Sequence, residues 1–161
     1  MDFENLVRVL DDYARDLKEL YQYNLNYDNA VASGELINSV RYLFEHNGSK
    51  YEVYLQLADY WKYVEYGRRS GKFPPVDKIL NWIRVKPVIP RPFNGKLPSE
   101  QQLAYLIGRK IALEGTKPRN ILALTLEELN EEYDDKISEA LTLDLSDIAD
   151  DMLRTIIITK H

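Results

Sequence analysis

The 161-residue chain has no cysteine and only two histidines, His46 and His161. Without thiols there is no disulfide, no thiol nucleophile and no thiolate metal site. Two histidines so far apart, one of them the last residue, cannot supply a zinc cluster or a Ser-His-Asp relay. Glycine is sparse at seven residues, and no Gly-Lys-Ser/Thr follows a strand pattern, so no phosphate-cradling loop is expected. No apolar run approaches the ~20 residues that cross a bilayer, and the N-terminus lacks a cationic segment followed by an apolar one. From these absences the chain is expected to be soluble and intracellular when made, with no cofactor, metal or membrane partner, and most familiar hydrolase chemistry is excluded.

What is plentiful is tyrosine, at twelve residues, and charge that is unevenly placed. The net charge of −5 hides a basic stretch from Arg68 to Arg119, with twelve Lys and Arg against Asp77, Glu100 and Glu114. From Glu127 to Asp151, eleven acids face only Lys136. A basic body and an acidic arm in one chain attract each other, within a subunit or between neighbours.

Apolar periodicity sets the expected elements. Leu6, Leu10, Tyr13, Leu17 and Tyr21 belong to the stripe of an amphipathic helix from about Asp2 to Tyr21, with 24–29 read as a polar loop. Ser33-Gly34-Glu35-Leu36 opens a short helical turn toward Val40. Val40–Glu45 and Tyr51–Leu57 flank Asn47-Gly48, which predicts a hairpin at about 40–57 with alternating Tyr51, Val53, Leu55 and Leu57 on its buried face. Asp59 to Tyr66 reads as a helix capped by Asp59 and closed by Gly67. A further helix starts at Pro74-Pro75 with Val76, Ile79, Leu80, Trp82 and Ile83 on its stripe, and the prolines between Lys86 and Pro98 make an extended loop. Ser99-Glu100-Gln101-Gln102 is a capping box for a helix carrying Leu103, Leu106, Ile107 and Ile111, which Gly115 stops. Thr125-Leu126-Glu127-Glu128 reads as a second capping box, opening a helix through Leu129, Tyr133 and Ile137. Residues 155–159, β-branched, fit either a strand or a helix end. The expected fold is α+β: a long N-terminal helix packed on a small antiparallel β-sheet, two or three further helices, and a C-terminal helical arm. The expected organisation is a domain over 1–120 and an acidic, mainly helical arm over 121–161.

Candidate chemistry is thin. Glu127-Glu128, Glu131-Glu132, Asp134-Asp135 and Asp150-Asp151 fall at spacings of a solvated helix face, and no calcium-loop pattern accompanies them. Arg68-Arg69 and Arg109-Lys110 are suited to phosphates, but no reading-helix motif goes with them. The dense aromatic stretch Tyr60-Trp61-Lys62-Tyr63-Val64-Glu65-Tyr66-Gly67-Arg68-Arg69 is the most specific feature. Tyr60, Trp61, Tyr63 and Tyr66 are expected to build core or a subunit seam, and Arg68 and Arg69 to meet acids of a neighbouring protein. A tyrosine-rich carbohydrate- or peptide-binding module is the alternative, and an enzyme built on carboxylates with a bound metal is a third reading.

The order Ser33-Gly34-Glu35-Leu36-Ile37-Asn38-Ser39-Val40, hairpin, Tyr63-Val64-Glu65-Tyr66-Gly67, Pro74-Pro75 resembles the neck or tail-completion family of tailed bacteriophages. Ile79-Leu80-Asn81-Trp82-Ile83 and the stretch from Leu103 to Gly115-Thr116-Lys117-Pro118 look like the longer members, so the resemblance spans about Ser33 to Pro118. Arg68 stands where the family has Thr, and the acidic segment beyond Asn120 has no counterpart. The tyrosine content and long tail are similar to a neck ring protein of a crassvirus-like phage. The resemblance implies a non-enzymatic virion protein, made in the host cytoplasm and joining head to tail. It implies a closed ring, six- or twelve-fold, between portal or adaptor and tail proteins, through which genomic DNA passes without specific binding. The aromatic stretch then reads as a hinge between hairpin and proline segment.

Overall fold

The computed structural model describes residues 3–28, 30, 34–47, 50–86, 88–92 and 95–158, with side chains through 154. Its elements are α1 (Glu4–Tyr27), α2 (Glu35–Ser39), β1 (Arg41–Asn47), β2 (Lys50–Gln56), α3 (Trp61–Glu65), α4 (Val76–Val85), α5 (Glu100–Glu114) and α6 (Ile121–Ile158). The fold is α+β, as expected, with a two-stranded antiparallel sheet. None of the described helices is long and apolar enough to cross a membrane. The chain forms two compact units, one of residues 1–21, 41–56 and 123–161, the other of residues 22–40 and 57–122.

In the first unit Leu17 of α1 and Leu129 and Tyr133 of α6 form the buried cluster, and Val53 and Leu55 of β2 pack against it. The pairing Tyr42↔Leu55 and Phe44↔Val53 puts these side chains on one face of the hairpin, while the alternate Tyr54 faces outward. Leu57 lies just beyond the strand, and turn residues 48 and 49 lie outside the described residues. The Tyr133 hydroxyl donates to Asp16 (2.5 Å), and its ring meets Tyr13 edge-on at 5.3 Å between centroids. Burial and this carboxylate together push the Tyr133 phenol well above its ordinary range.

In the second unit Ile79 and Ile83 of α4 pack on Ala104 of α5. Gly108 lets α5 come close, because a Cβ there would stand 2.6 Å from the Phe73 ring. Pro75 precedes α4, and α5 begins with the expected reciprocal capping box of Ser99 and Gln102 and ends at Gly115. Leu106 and Trp82 are exposed rather than core, since the buried residues are Ala104 and Gly108 on α5 and Ile79 and Ile83 on α4.

Four local expectations are corrected. α1 runs past Tyr21 to Tyr27, because Leu25 extends the stripe by four residues and is buried. Gln22 Nε2 also donates to the Ile37 carbonyl (2.7 Å), so Asn24 to Tyr27 are helix rather than loop. α3 is confined to Trp61–Glu65: Tyr60 is its N-cap, no side chain caps it, and Asp59 belongs to the preceding turn closed by Trp61 N–H on Ala58 O (2.9 Å). α6 starts at Ile121, so Thr125 is not a cap but a mid-helix residue at 0% exposure. Residues 155–158 are helix; Thr159 lies outside the described residues.

Candidate functional site

α3 and the turn after it place the aromatic stretch. Over five residues one side of α3 faces in, so Glu65 is buried at 2% exposure and Trp61 half-buried, while Tyr63 and Tyr66 stand 61% and 66% exposed. Tyr63 and Tyr66 are therefore surface, not core, of the chain alone. Trp61 and Tyr66 rings sit 5.9 Å apart, and the Arg68 guanidinium lies 5.9 Å from the Tyr63 ring centroid. Arg69 is exposed.

Gly67 then takes φ +68°, a conformation glycine reaches without penalty, and turns the chain onto residues 115–118. Arg68 N–H donates to the Thr116 carbonyl (3.2 Å) and to Thr116 Oγ1 (2.8 Å), and Thr116 N–H donates back to the Arg68 carbonyl (2.8 Å). The two backbones touch: a Cβ on Gly67 would lie 2.2 Å from the Thr116 carbonyl oxygen, and one on Gly115 the same distance from that of Arg68. The Tyr-Val-Glu-Tyr-Gly and Gly-Thr-Lys-Pro stretches thus form one paired junction. The Arg68 side chain takes no part in this pairing, since Arg68 contributes only its backbone N–H and carbonyl.

Glu65 extends the junction to the start of α6. Its carboxylate accepts from Leu122 N–H (2.8 Å), in the first turn of α6, and its carbonyl accepts from Arg119 and Asn120 N–H (both 3.1 Å). A helix opens with unsatisfied N–H groups and a partial positive charge, and a buried carboxylate meets both needs. The first unit repeats the device. Asp144 of α6 is buried and accepts from Asn5 N–H (3.0 Å), Asn5 Nδ2 (2.8 Å) and Leu6 N–H (2.8 Å), the first turn of α1. Desolvation works to raise its carboxyl, but these donors, with Arg8, hold it below the ordinary value of 3.8.

Beside the junction is a cleft of about 720 Å³ whose lining includes Tyr60, Tyr63, Trp82, Arg68, Lys78 and Glu35. Of the stretch, Tyr60, Tyr63 and Arg68 line it, whereas Trp61, Tyr66 and Arg69 do not. Sequence reasoning missed Trp82 and Lys78 as cleft residues; the proline-opened helix that carries them was its only pointer. Asp144 had no reading of its own beyond its place in the acidic run and is buried, while Glu127, Glu128, Glu131, Glu132, Asp134 and Asp135 are exposed as expected. Among the described residues no group of three His, Asp or Glu side chains is placed to hold a metal ion.

Compared with family models, with curated proteins and with solved structures, the chain matches none.

Proposed function

We propose that the chain is a structural, non-enzymatic virion protein of a tailed bacteriophage that forms a ring in the neck, between portal and tail, with genomic DNA passing through its lumen. The observation that carries this reading is the junction: the two stretches bearing the resemblance, 48 residues apart at Arg68 and Thr116, pair through their backbones. Their glycines and Glu65 serve close approach and helix capping, which explains why such residues occur in that order without performing chemistry. Tyr63, Tyr66, Arg68 and Arg69 are then free to contribute to contacts with neighbouring proteins, and tyrosine and arginine are favoured at such interfaces. An acidic α6 surface toward the lumen repels DNA phosphates and keeps the passage clear.

Cryo-electron microscopy of purified particles tests the reading. A ring at the portal vertex into which the hairpin and α6 can be built is the expected result; particles that contain no copy of the chain overturn it. The second reading, a peptide- or carbohydrate-binding module, draws on the aromatic walls of the cleft. Glycan-array binding by a monodisperse monomer is the result that would favour it.

A further inference from the structure

Among the described residues, the distal turns of α6 present an apolar face that is largely exposed. Leu141, Leu145, Ile148 and Met152 recur at steps of four, three and four, which aligns them along one side of a helix. Leu145 and Met152 are 51% and 50% exposed, Ile148 is half-buried, and among the described side chains of the helix none beyond Asp144 is buried. Asp147, Asp150 and Asp151 make these turns acidic against a single Arg154. Aligned, exposed apolar side chains are the kind of surface that interaction sites use.

The cleft of the second unit has the opposite character. Its walls are aromatic, from Tyr60, Tyr63 and Trp82, and its charged lining is Arg68 and Lys78 against Glu35. At about 720 Å³ it has room for several side chains, within the ~300–1,000 Å³ usual for binding clefts. An apolar ridge on an acidic helix meets both properties, and long Arg and Lys side chains reach past an aromatic wall to carboxylates on a helix flank.

We infer that the distal turns of α6 of one copy seat the Leu145, Ile148 and Met152 ridge in the Tyr60–Trp82 cleft of a second copy, the basic cleft drawing in the acidic helix. The contact joins two different patches, so it is heterologous: repeated from copy to copy it closes into a ring or runs on as a filament. The inference rests on the ring reading for its closure and supplies the seam that reading requires. Opposite fields of this kind set the orientation and rate of association, and the apolar ridge supplies the hold.

Sedimentation velocity of the full chain over a concentration series tests it. Three variants are compared with the unsubstituted chain: R68E with K78E, D147K with D150K, and all four together. All substituted positions are exposed or half-buried, and circular dichroism verifies the fold of each. The unsubstituted chain is expected to associate reversibly, each charge reversal alone to raise the concentration of half-association by about tenfold or more, and the combined variant to recover. I148D is expected to abolish association whatever the charges. Association insensitive to both reversals, or a chain still monomeric at about 1 mM, overturns the contact. The two readings fail separately. A ring in particles whose assembly ignores the reversals removes this seam and leaves the neck reading; charge-swapped association by a chain absent from particles does the converse.

Discussion

Replacing Glu65 by Ala should show how much one buried carboxylate does for the start of the longest helix. The side chain is buried, and its oxygen is 2.8 Å from Leu122 N–H. The substitution leaves that donor without its acceptor in a place water reaches poorly, a cost of about 1–3 kcal/mol. It also removes a negative charge from a helix N-terminus, worth roughly 0.3–1 kcal/mol. Taken together and allowing for overlap, Glu65→Ala should destabilise by about 2 kcal/mol. For a chain of this size that lowers Tm by roughly 4–8 °C in a calorimetric or circular dichroism melt. Glu65→Gln keeps the shape and one carbonyl acceptor and loses only the charge, so it should cost about 1 kcal/mol or less. Amide exchange gives a local readout: Leu122 should lose protection in the alanine variant while Leu129, in the other unit's core, does not. An alanine variant that melts with the unsubstituted chain, or a glutamine variant as damaged as alanine, refutes the capping role.

The remaining expectations can be checked with the same equipment. Gly67→Ala must accommodate both a positive φ, which costs a non-glycine residue about 1–3 kcal/mol, and a Cβ driven against the Thr116 carbonyl, so it should cost more than Glu65→Ala and expose the Arg68 amide to exchange. Asp144→Asn should destabilise by about 1 kcal/mol at neutral pH. Because the folded carboxyl titrates below its ordinary 3.8, its contribution is present above that value and lost as pH falls through the folded pKa, so the gap between variant and parent should close in acid. A gap that is constant with pH would mean the carboxylate charge is not what holds α1. Leu129→Ala, at the centre of the first unit's cluster, should cost about 2–5 kcal/mol in urea unfolding; a cost below 1 kcal/mol would show that the cluster collapses around the void.

Some of this protein is written in short-range pattern. The body of α1, the hairpin, the Pro75 start of α4 and the Ser99 capping box each arise from residues within a few positions of one another, and each is where the spacing places it. Local rules failed where the chain's own neighbours were not the deciding partners. Asn24 and Asn26 suggest a loop, but burial of Leu25 holds α1 together as far as Tyr27. Thr125 has the neighbours of a capping residue, yet α6 begins four residues earlier because its first-turn donor is met by Glu65, 57 residues away. Asp144 has the composition of a solvated acid and is instead the acceptor for the start of α1, 138 and 139 residues back. The same holds for the aromatic stretch. That it is dense in tyrosine and ends in glycine is plain from the sequence; which tyrosines face outward, and that Gly67 and Gly115 exist to let two backbones meet, follows only from tertiary packing. Periodicity and capping residues act through contacts within a turn of helix or across a hairpin, so the sequence alone determines them. Which carboxylate satisfies which distant helix end, and which side chains line a shared cleft, depends on how far-apart segments are brought together, and only the folded chain decides it.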